Sequence, residues 1–169
     1  LWQIYKDLEK PYPMNRLIEG DVGSGKTAVA ALAAAMAVSN GYQVAYMAPT
    51  ELLAGQHFKT FSSIFKSVGK IKSVALLTAG IKTKNKKDVL ENIKNGDVGC
   101  VIGTHALIQK SVEYHNLGLV IVDEQHRFGV NQRNALMAKS KLMPHLLTMT
   151  ATPIPRSLAL AVYGELDIS

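Results

Sequence analysis

The 169-residue chain has a single cysteine, Cys100. One cysteine excludes a disulfide framework and the paired Cys/His spacing of a structural zinc site. Its neighbours in VGCVIGT are apolar, so the thiol is expected to be a small core residue, which fits a reducing compartment. Long apolar runs are missing as well. No stretch reaches the roughly 18 residues that a bilayer-spanning helix needs. The longest candidate, Ala28 to Val38, is mostly alanine and reads as a buried helix. A secretory leader is also lacking: LWQIYKDLEK has charges scattered through it and no methionine, so the chain is read as a piece of a longer one. No internal repeat, low-complexity segment or linker interrupts it. These absences lead to the expectation of a cytoplasmic location without membrane contact.

What is present is ordinary globular material, 47% hydrophobic and 19% charged, at a length suited to one domain with a substantial core. The net charge is +6. Between Lys66 and Lys94 lie eight lysines against Asp88 and Glu91, so this segment carries the whole imbalance and the remainder is neutral. Such a patch can hold a polyanion; a solvated helix and loop would look the same.

Short runs rich in Val, Ile and Leu predict strands near Arg16–Glu19, Gln43–Ala48, Ser73–Leu77, Val98–Ile102, Leu119–Val122 and His145–Met149. Helical stretches fall at Lys26–Ser39, Glu51–Phe65, Asn85–Lys94, briefly after Thr104, at Asn131–Lys139 and at Arg156–Val162. Asn40-Gly41 and Asn95-Gly96 are helix stops. Alternation of this kind predicts an α/β fold with a mainly parallel sheet between two helical layers. The final YGELDIS reads as the start of a connection leading elsewhere.

GDVGSGKT, from Gly20 to Thr27, fits G-x-x-x-x-G-K-[ST] in full. Glycines let successive backbone N–H groups point into one concavity, and the helix that follows adds its positive end. Gly20, Asp21, Val22, Gly23, Ser24, Gly25, Lys26 and Thr27 are therefore the expected triphosphate cradle. Lys26 is expected on the β- and γ-phosphates and Thr27 on Mg²⁺. ATP and Mg²⁺ are the cofactors this predicts.

The second anchor is NLGLVIVDEQH, Asn116 to His126. A buried strand ends in two carboxylates, and in open α/β sheets ligands bind outside the carboxyl ends of strands. Asp123 is placed to approach Mg²⁺ through its water shell, and Glu124 to orient and deprotonate the attacking water. A third strand end, LLTMTATPIPRSL, carries Thr148, Thr150 and Thr152, with Pro153 and Pro155 stiffening the exit. Read alone it is better taken as a strand-to-helix turn with threonine caps.

GDVGSGKT, APTELLAGQH, GTHALIQ, VDEQHRFGVNQR and MTATPIPRSLAL, in that order, resemble motifs I, Ia, Ic, II and III of the superfamily-2 helicases, and more narrowly the RecG family of branched-DNA helicases. The resemblance runs from about Met14 to Ser169. The transcription-repair coupling translocases are the alternative; they usually read DEEHRFG where this chain reads DEQHRFG, and Gln125 decides for the first. The resemblance implies a RecA-like P-loop NTPase domain, the first of two motor domains in a monomer acting on branched or forked DNA. A fork-splitting wedge would lie before Leu1, and an adenine-reading glutamine with it. The transition-state arginine would come from the second motor domain, so the 169 residues alone are expected to hydrolyse ATP very poorly.

Carried over residue by residue, the resemblance places Pro49, Thr50 and Glu51, and likewise Thr104 and His105, against DNA phosphates, where contacts position a strand without reading it. Gln125 and His126 would link the acids to Thr150 and Thr152. Arg127 would pair with a nearby acid or touch the other motor domain. Two departures are visible. The family usually has glutamate where Gly55 stands, and a mid-helix glycine costs up to about 1 kcal/mol. In LLTAG, Ala79 separates threonine from Gly80, the residue expected against the DNA backbone.

Two other classes share the phosphate loop. A small-molecule kinase would need an acceptor pocket and leaves APTELLAGQH, GTHALIQ and MTATPIPRSL without a role. A nucleotide-gated binding module without turnover has little use for Glu124.

Overall fold

The computed structural model describes residues 1–21, 23–69, 72–81, 83–124, 130–151 and 167–168. Helix α1 (Trp2–Leu8) leads into β1 (Asn15–Glu19), α2 (Lys26–Ser39), β2 (Gln43–Met47), α3 (Glu51–Val68), β3 (Ser73–Leu77) and α4 (Thr83–Asn95). β4 (Val98–Gly103), a short 3₁₀ helix (His105–Ile108), β5 (Leu117–Asp123), α5 (Val130–Met137), β6 (His145–Thr150) and β7 (Asp167–Ile168) follow. The sheet order is β3-β4-β2-β5-β6-β1-β7, and every pairing is parallel. The six expected strands are present, and the helix expected at Arg156–Val162 lies outside the described residues.

Alternation along each strand divides the core between two faces, as the two-residue period requires. Val44 and Tyr46 of β2, Leu119 and Ile121 of β5, and Leu147 and Met149 of β6 pack with α1, α2 and α3. Ala45, Met47, Val120, Val122 and Leu146 point the other way, toward Ile93, Leu107 and Leu136 of the opposite helical layer. Helix α2 has no polar stripe through its middle. Seven of its residues from Ala30 to Val38 are buried, six of them alanines, whose small side chains fit between sheet and neighbouring helices. Cys100 is fully buried as expected, and burial pushes its thiol up and out of reach of ordinary titration.

Two elements depart from the expectations. Helix α1 was not foreseen. It is fastened by a buried ion pair: Arg16 Nε donates to Asp7 Oδ2 at 2.7 Å, and Lys10 Nζ reaches Asp7 Oδ1 at 2.6 Å. The segment read as an outgoing connection instead returns to the sheet. Asp167 and Ile168 pair with Arg16 and Leu17, and so cover the outer edge of β1, whose backbone groups would otherwise lack partners on that side.

Gln43 joins several elements. Its amide donates to Ile93 O (2.9 Å) and Val98 O (2.8 Å) and accepts from the N–H groups of His115 (2.7 Å) and Asn116 (3.1 Å). All four hydrogen-bonding positions of a buried amide are thereby filled.

Helix α3 predicts a simple stability result. A Cβ built on Gly55 meets nothing within 4 Å. Gly55→Ala is expected to stabilise the chain by about 0.5–1 kcal/mol through backbone entropy, read as a raised urea midpoint; a lowered midpoint would show hidden crowding at the site.

A pH dependence follows from β6. Burial lowers the pKa of His145, with the Asp7 charge opposing it in part. Its Nδ1 accepts the Met14 N–H at 2.9 Å, so the folded state keeps that nitrogen unprotonated. With the folded value below the unfolded 6.5, the unfolded chain binds the extra proton, and stability falls as pH drops through that window. Urea midpoints should decline between pH 7 and 5, and His145→Asn should remove most of that slope; an unchanged slope in the variant would assign it elsewhere.

Candidate functional site

Parallel strands bring every strand-to-helix turn to one edge. Register then aligns three of them. Glu19 of β1 lies beside Thr150 of β6, and Met149 lies beside Asp123 of β5. The strand leading to Gly20 and the strand ending in Asp123 are thus separated by β6 alone. At about 4.8 Å per strand, their ends lie roughly 10 Å apart. That span suits a triphosphate chain with a hydrated cation beside it.

The loop has the backbone of an anion cradle. Gly23 and Gly25 take φ of +86° and +88°, a region that side-chain-bearing residues avoid. Gly25 is the N-cap of α2 and supplies no side-chain cap, so the first helical N–H groups are open to water or an anion. At Gly20 the space is tight: a Cβ there would come within 2.6 Å of Ser24 Oγ, which would have to turn away. Lys26 Nζ donates to the carbonyls of Gly20 and Asp21, the latter at 2.8 Å, so the ammonium lies over the loop itself. Val22 lies outside the described residues.

Asp123 is buried, and its Oδ2 accepts from His57 Nε2 at 2.9 Å. His57 belongs to α3, so the Asp123 side chain is on the face that α2 and α3 cover. The His57 ring packs 5.0 Å from Tyr46, which packs 5.0 Å from Phe61. The Tyr46 hydroxyl is buried with no well-formed hydrogen bond, yet burial and then the nearby Asp123 charge hold its proton on well above the ordinary range. Glu124 has φ +49°, the one positive value among the described residues other than glycine. A side chain held there costs about 1–2 kcal/mol. Such strain collects at functional sites.

Among the described residues no group of three or more His, Cys, Asp or Glu gathers into a metal cage. A carboxylate and a hydroxyl are hard oxygen donors of the kind that suit Mg²⁺, which binds through one or two protein oxygens, water and phosphate. The Asp123 carboxylate and the Thr27 hydroxyl are the groups that would hold it.

The residues expected against DNA occupy the other half of the same edge, after β2, β3 and β4. Thr50 is exposed and caps α3, accepting the Leu53 N–H at 3.2 Å. Its O–H remains able to donate to a phosphate. Glu51 and Gly80 meet each other: the Gly80 N–H donates to Glu51 Oε1 at 3.2 Å. The Glu51 side chain thus braces the β3–α4 turn, while its backbone N–H, at the start of α3, is the group expected on a phosphate. Pro49 is half-buried, Thr104 is buried at the end of β4 and His105 is exposed beside it. Thr150 is fully buried. Gln125, His126, Arg127 and Thr152 lie outside the described residues. The lysine segment is partly engaged: Lys72 donates to Gly96 O, Lys86 to Gln109 and Lys94 to Glu113.

His57 was overlooked from the sequence, although it stands in APTELLAGQH. The available signal was its position. Ala54, Phe61 and Phe65 form the buried stripe of α3, and His57 falls on that stripe at helical spacing. Two grooves of about 540 and 860 Å³ lie at the opposite edge, around Pro13, Leu142, Met143 and Pro144, away from this chemistry.

A phosphate loop, an acidic strand end two strands away and a parallel sheet define a P-loop motor fold. The DEAD/DEAH box helicase family model matches residues 3–160, and the chain belongs to that family. Within it the chain is similar to the ATP-dependent DNA helicase RecG of Aquifex aeolicus (strain VF5), 56% identical over 99% of this chain and 21% of that protein. RecG of Staphylococcus aureus (strain NCTC 8325 / PS 47) is 54% identical over 99% of the chain and 24% of its own length. A solved structure of RecG bound to a three-way DNA junction superposes with TM-score 0.82 at 48% identity, covering 99% of this chain and 22% of that one. The chain thus spans less than a quarter of the length of these RecG relatives. These identities favour the RecG resemblance over the transcription-repair alternative. The DUF1998 helicase MrfA, 18% identical with TM-score 0.77, shares the fold.

The backbone at Glu124 generates a prediction. Glu124→Gly should raise stability by about 1 kcal/mol by relieving the left-handed φ, measured by urea unfolding. An equal or lower midpoint would show that the side chain's own contacts outweigh the strain.

Proposed function

We propose that this chain is the ATP-binding half of a motor that couples ATP hydrolysis to movement on branched DNA. The observation that carries the reading is the shared carboxyl edge. The phosphate loop and Asp123 stand two strands apart on it, and the turns after β2, β3 and β4 lie along its continuation. The relatives named as ATP-dependent DNA helicase RecG, and the RecG structure holding a three-way junction, support the same partner class.

In this reading the amides of Gly20 to Thr27 hold the β- and γ-phosphates and Lys26 swings from the loop carbonyls onto them. Thr27 and Asp123 hold the cation. Magnesium, when bound, supplies positive charge where the leaving phosphate becomes more negative. Glu124 aligns a water with the γ-phosphorus and accepts its proton. Gln125, His126, Thr150 and Thr152 carry the change to the DNA side. Thr50, Thr104 and His105, with Pro49 shaping the turn, contact the DNA backbone. A second motor domain of the same chain supplies the arginine, worth about 10³–10⁵ in rate in such sites. The protein works as a monomer in the cytoplasm. Among the described residues no helix is long and apolar enough to cross a membrane.

The test is ATP hydrolysis by the full-length protein with and without a three-way junction. Junction DNA is expected to raise kcat at least tenfold, and Lys26→Ala to abolish turnover while the protein still folds. Stimulation by a small acceptor would instead indicate a kinase, and absence of turnover a nucleotide-gated module. The isolated 169 residues should turn over at a small fraction of the full-length rate; rapid DNA-dependent hydrolysis by them would refute the need for a second domain.

A further inference from the structure

The carboxyl edge has two halves. The ends of β5 and β1, with β6 between them, carry the phosphate chemistry, and the ends of β3, β4 and β2 carry the turns expected on DNA. Helix α3 begins in the second half, at Thr50, directly after β2. His57 lies seven residues beyond that cap, two turns later and within about 20° of the same side of the helix. From there it crosses the boundary to Asp123 on β5, at 2.9 Å.

We infer that His57 is a positioning residue that couples the DNA-facing start of α3 to the Asp123 carboxylate, an inference that rests on the function proposed above. An ionised carboxylate has no proton, so His57 Nε2–H is the donor. The contact is well shielded, with the two side chains 12% and 11% exposed. The ring has little freedom, because Tyr46 packs on it and Phe61 packs on Tyr46. His57 holds Oδ2, and the Tyr46 hydroxyl lies close to the same carboxylate; such outer partners set the orientation of a metal-binding carboxylate. The start of the helix is itself attached to a neighbouring turn through Glu51 and Gly80. A backbone phosphate that engages Thr50 or displaces Glu51 from Gly80 therefore acts on a rigid helix whose second turn holds the acid. Packing on Tyr46 alone would give His57 a purely structural role, and the two roles separate by chemistry.

His57→Phe keeps a ring against Tyr46 and removes the N–H. His57→Gln removes the ring and keeps a donor at similar reach. Both are made in the full-length protein. His57→Phe is expected to lower junction-stimulated kcat at least tenfold with KM for the junction within twofold of wild type. It should also weaken, at least fivefold, the tightening that Mg²⁺ confers on binding of a fluorescent ATP analogue at equilibrium. His57→Gln should recover both quantities to within threefold. Wild-type behaviour of His57→Phe, or equal impairment of the two variants, would overturn the inference. Failure of junction DNA to stimulate the wild-type protein would overturn the proposed function instead, while the Mg²⁺-dependent tightening still reports on His57 by itself.

Discussion

Every strand pairing in the sheet is parallel, and the arrangement of the site follows from that constraint. Parallel neighbours cannot be joined by a tight hairpin. Each connection must cross a face of the sheet, usually as a helix, and return to the starting edge. All turns that follow strands therefore collect at one edge, and helices begin there with their positive ends facing outward. Residues far apart in the chain, such as Ser24, Thr50, Thr104 and Asp123, become neighbours along a single rim. The opposite edge collects the turns that precede strands, and there the chain exposes Leu142 and Met143.

Packing against the two faces makes this rim rigid. The first face uses the alanines of α2 and the aromatic residues of α3, and the second uses Ile93, Leu107, Val112 and Leu136. Small residues matter where a helix must lie close to the sheet: with larger side chains α2 would stand away from β2 and β5, over which it packs, and shift the phosphate loop at its start. The satisfied amide of Gln43 has a comparable effect at the other edge. It replaces hydrogen bonds that water would provide to four backbone groups and so fixes β2 against its neighbours. The rim can then carry strained or exposed features, such as the φ of Glu124, without loss of the fold.

The legible parts of the sequence were those with local signatures. Strands covered on both faces read as continuous Val, Ile and Leu runs, and the phosphate loop announces itself because only glycine tolerates its backbone. Long-range pairings were harder to read. Helix α1 has only seven residues and depends on Asp7 meeting Arg16, nine positions away, within the core. Strand β7 has two residues and exists because β1 offers an edge. His57 was visible as a polar residue on an apolar stripe, but its partner is 66 positions further on, and no local rule pairs them. The contact between Glu51 and Gly80, 29 positions apart, was unreadable for the same reason.

The exposure of the rim bears on what this unit can accomplish. Gly23, Ser24 and Gly25 are open to solvent, and so are Thr50 and Glu51. Electrostatic stabilisation of a transferring phosphoryl group is strong only where water is excluded and the dipoles are fixed beforehand. A triphosphate lying on this cradle would keep one side toward water until another surface covered it. Under the proposed function, binding of phosphates and chemistry on them would be separable steps on one edge: the loop could hold charge by itself, whereas the pair Asp123–Glu124 would become effective only when a covering unit dried the site. A motor needs that separation, because a domain that hydrolysed its nucleotide unaided would release the energy without reference to the DNA beside it.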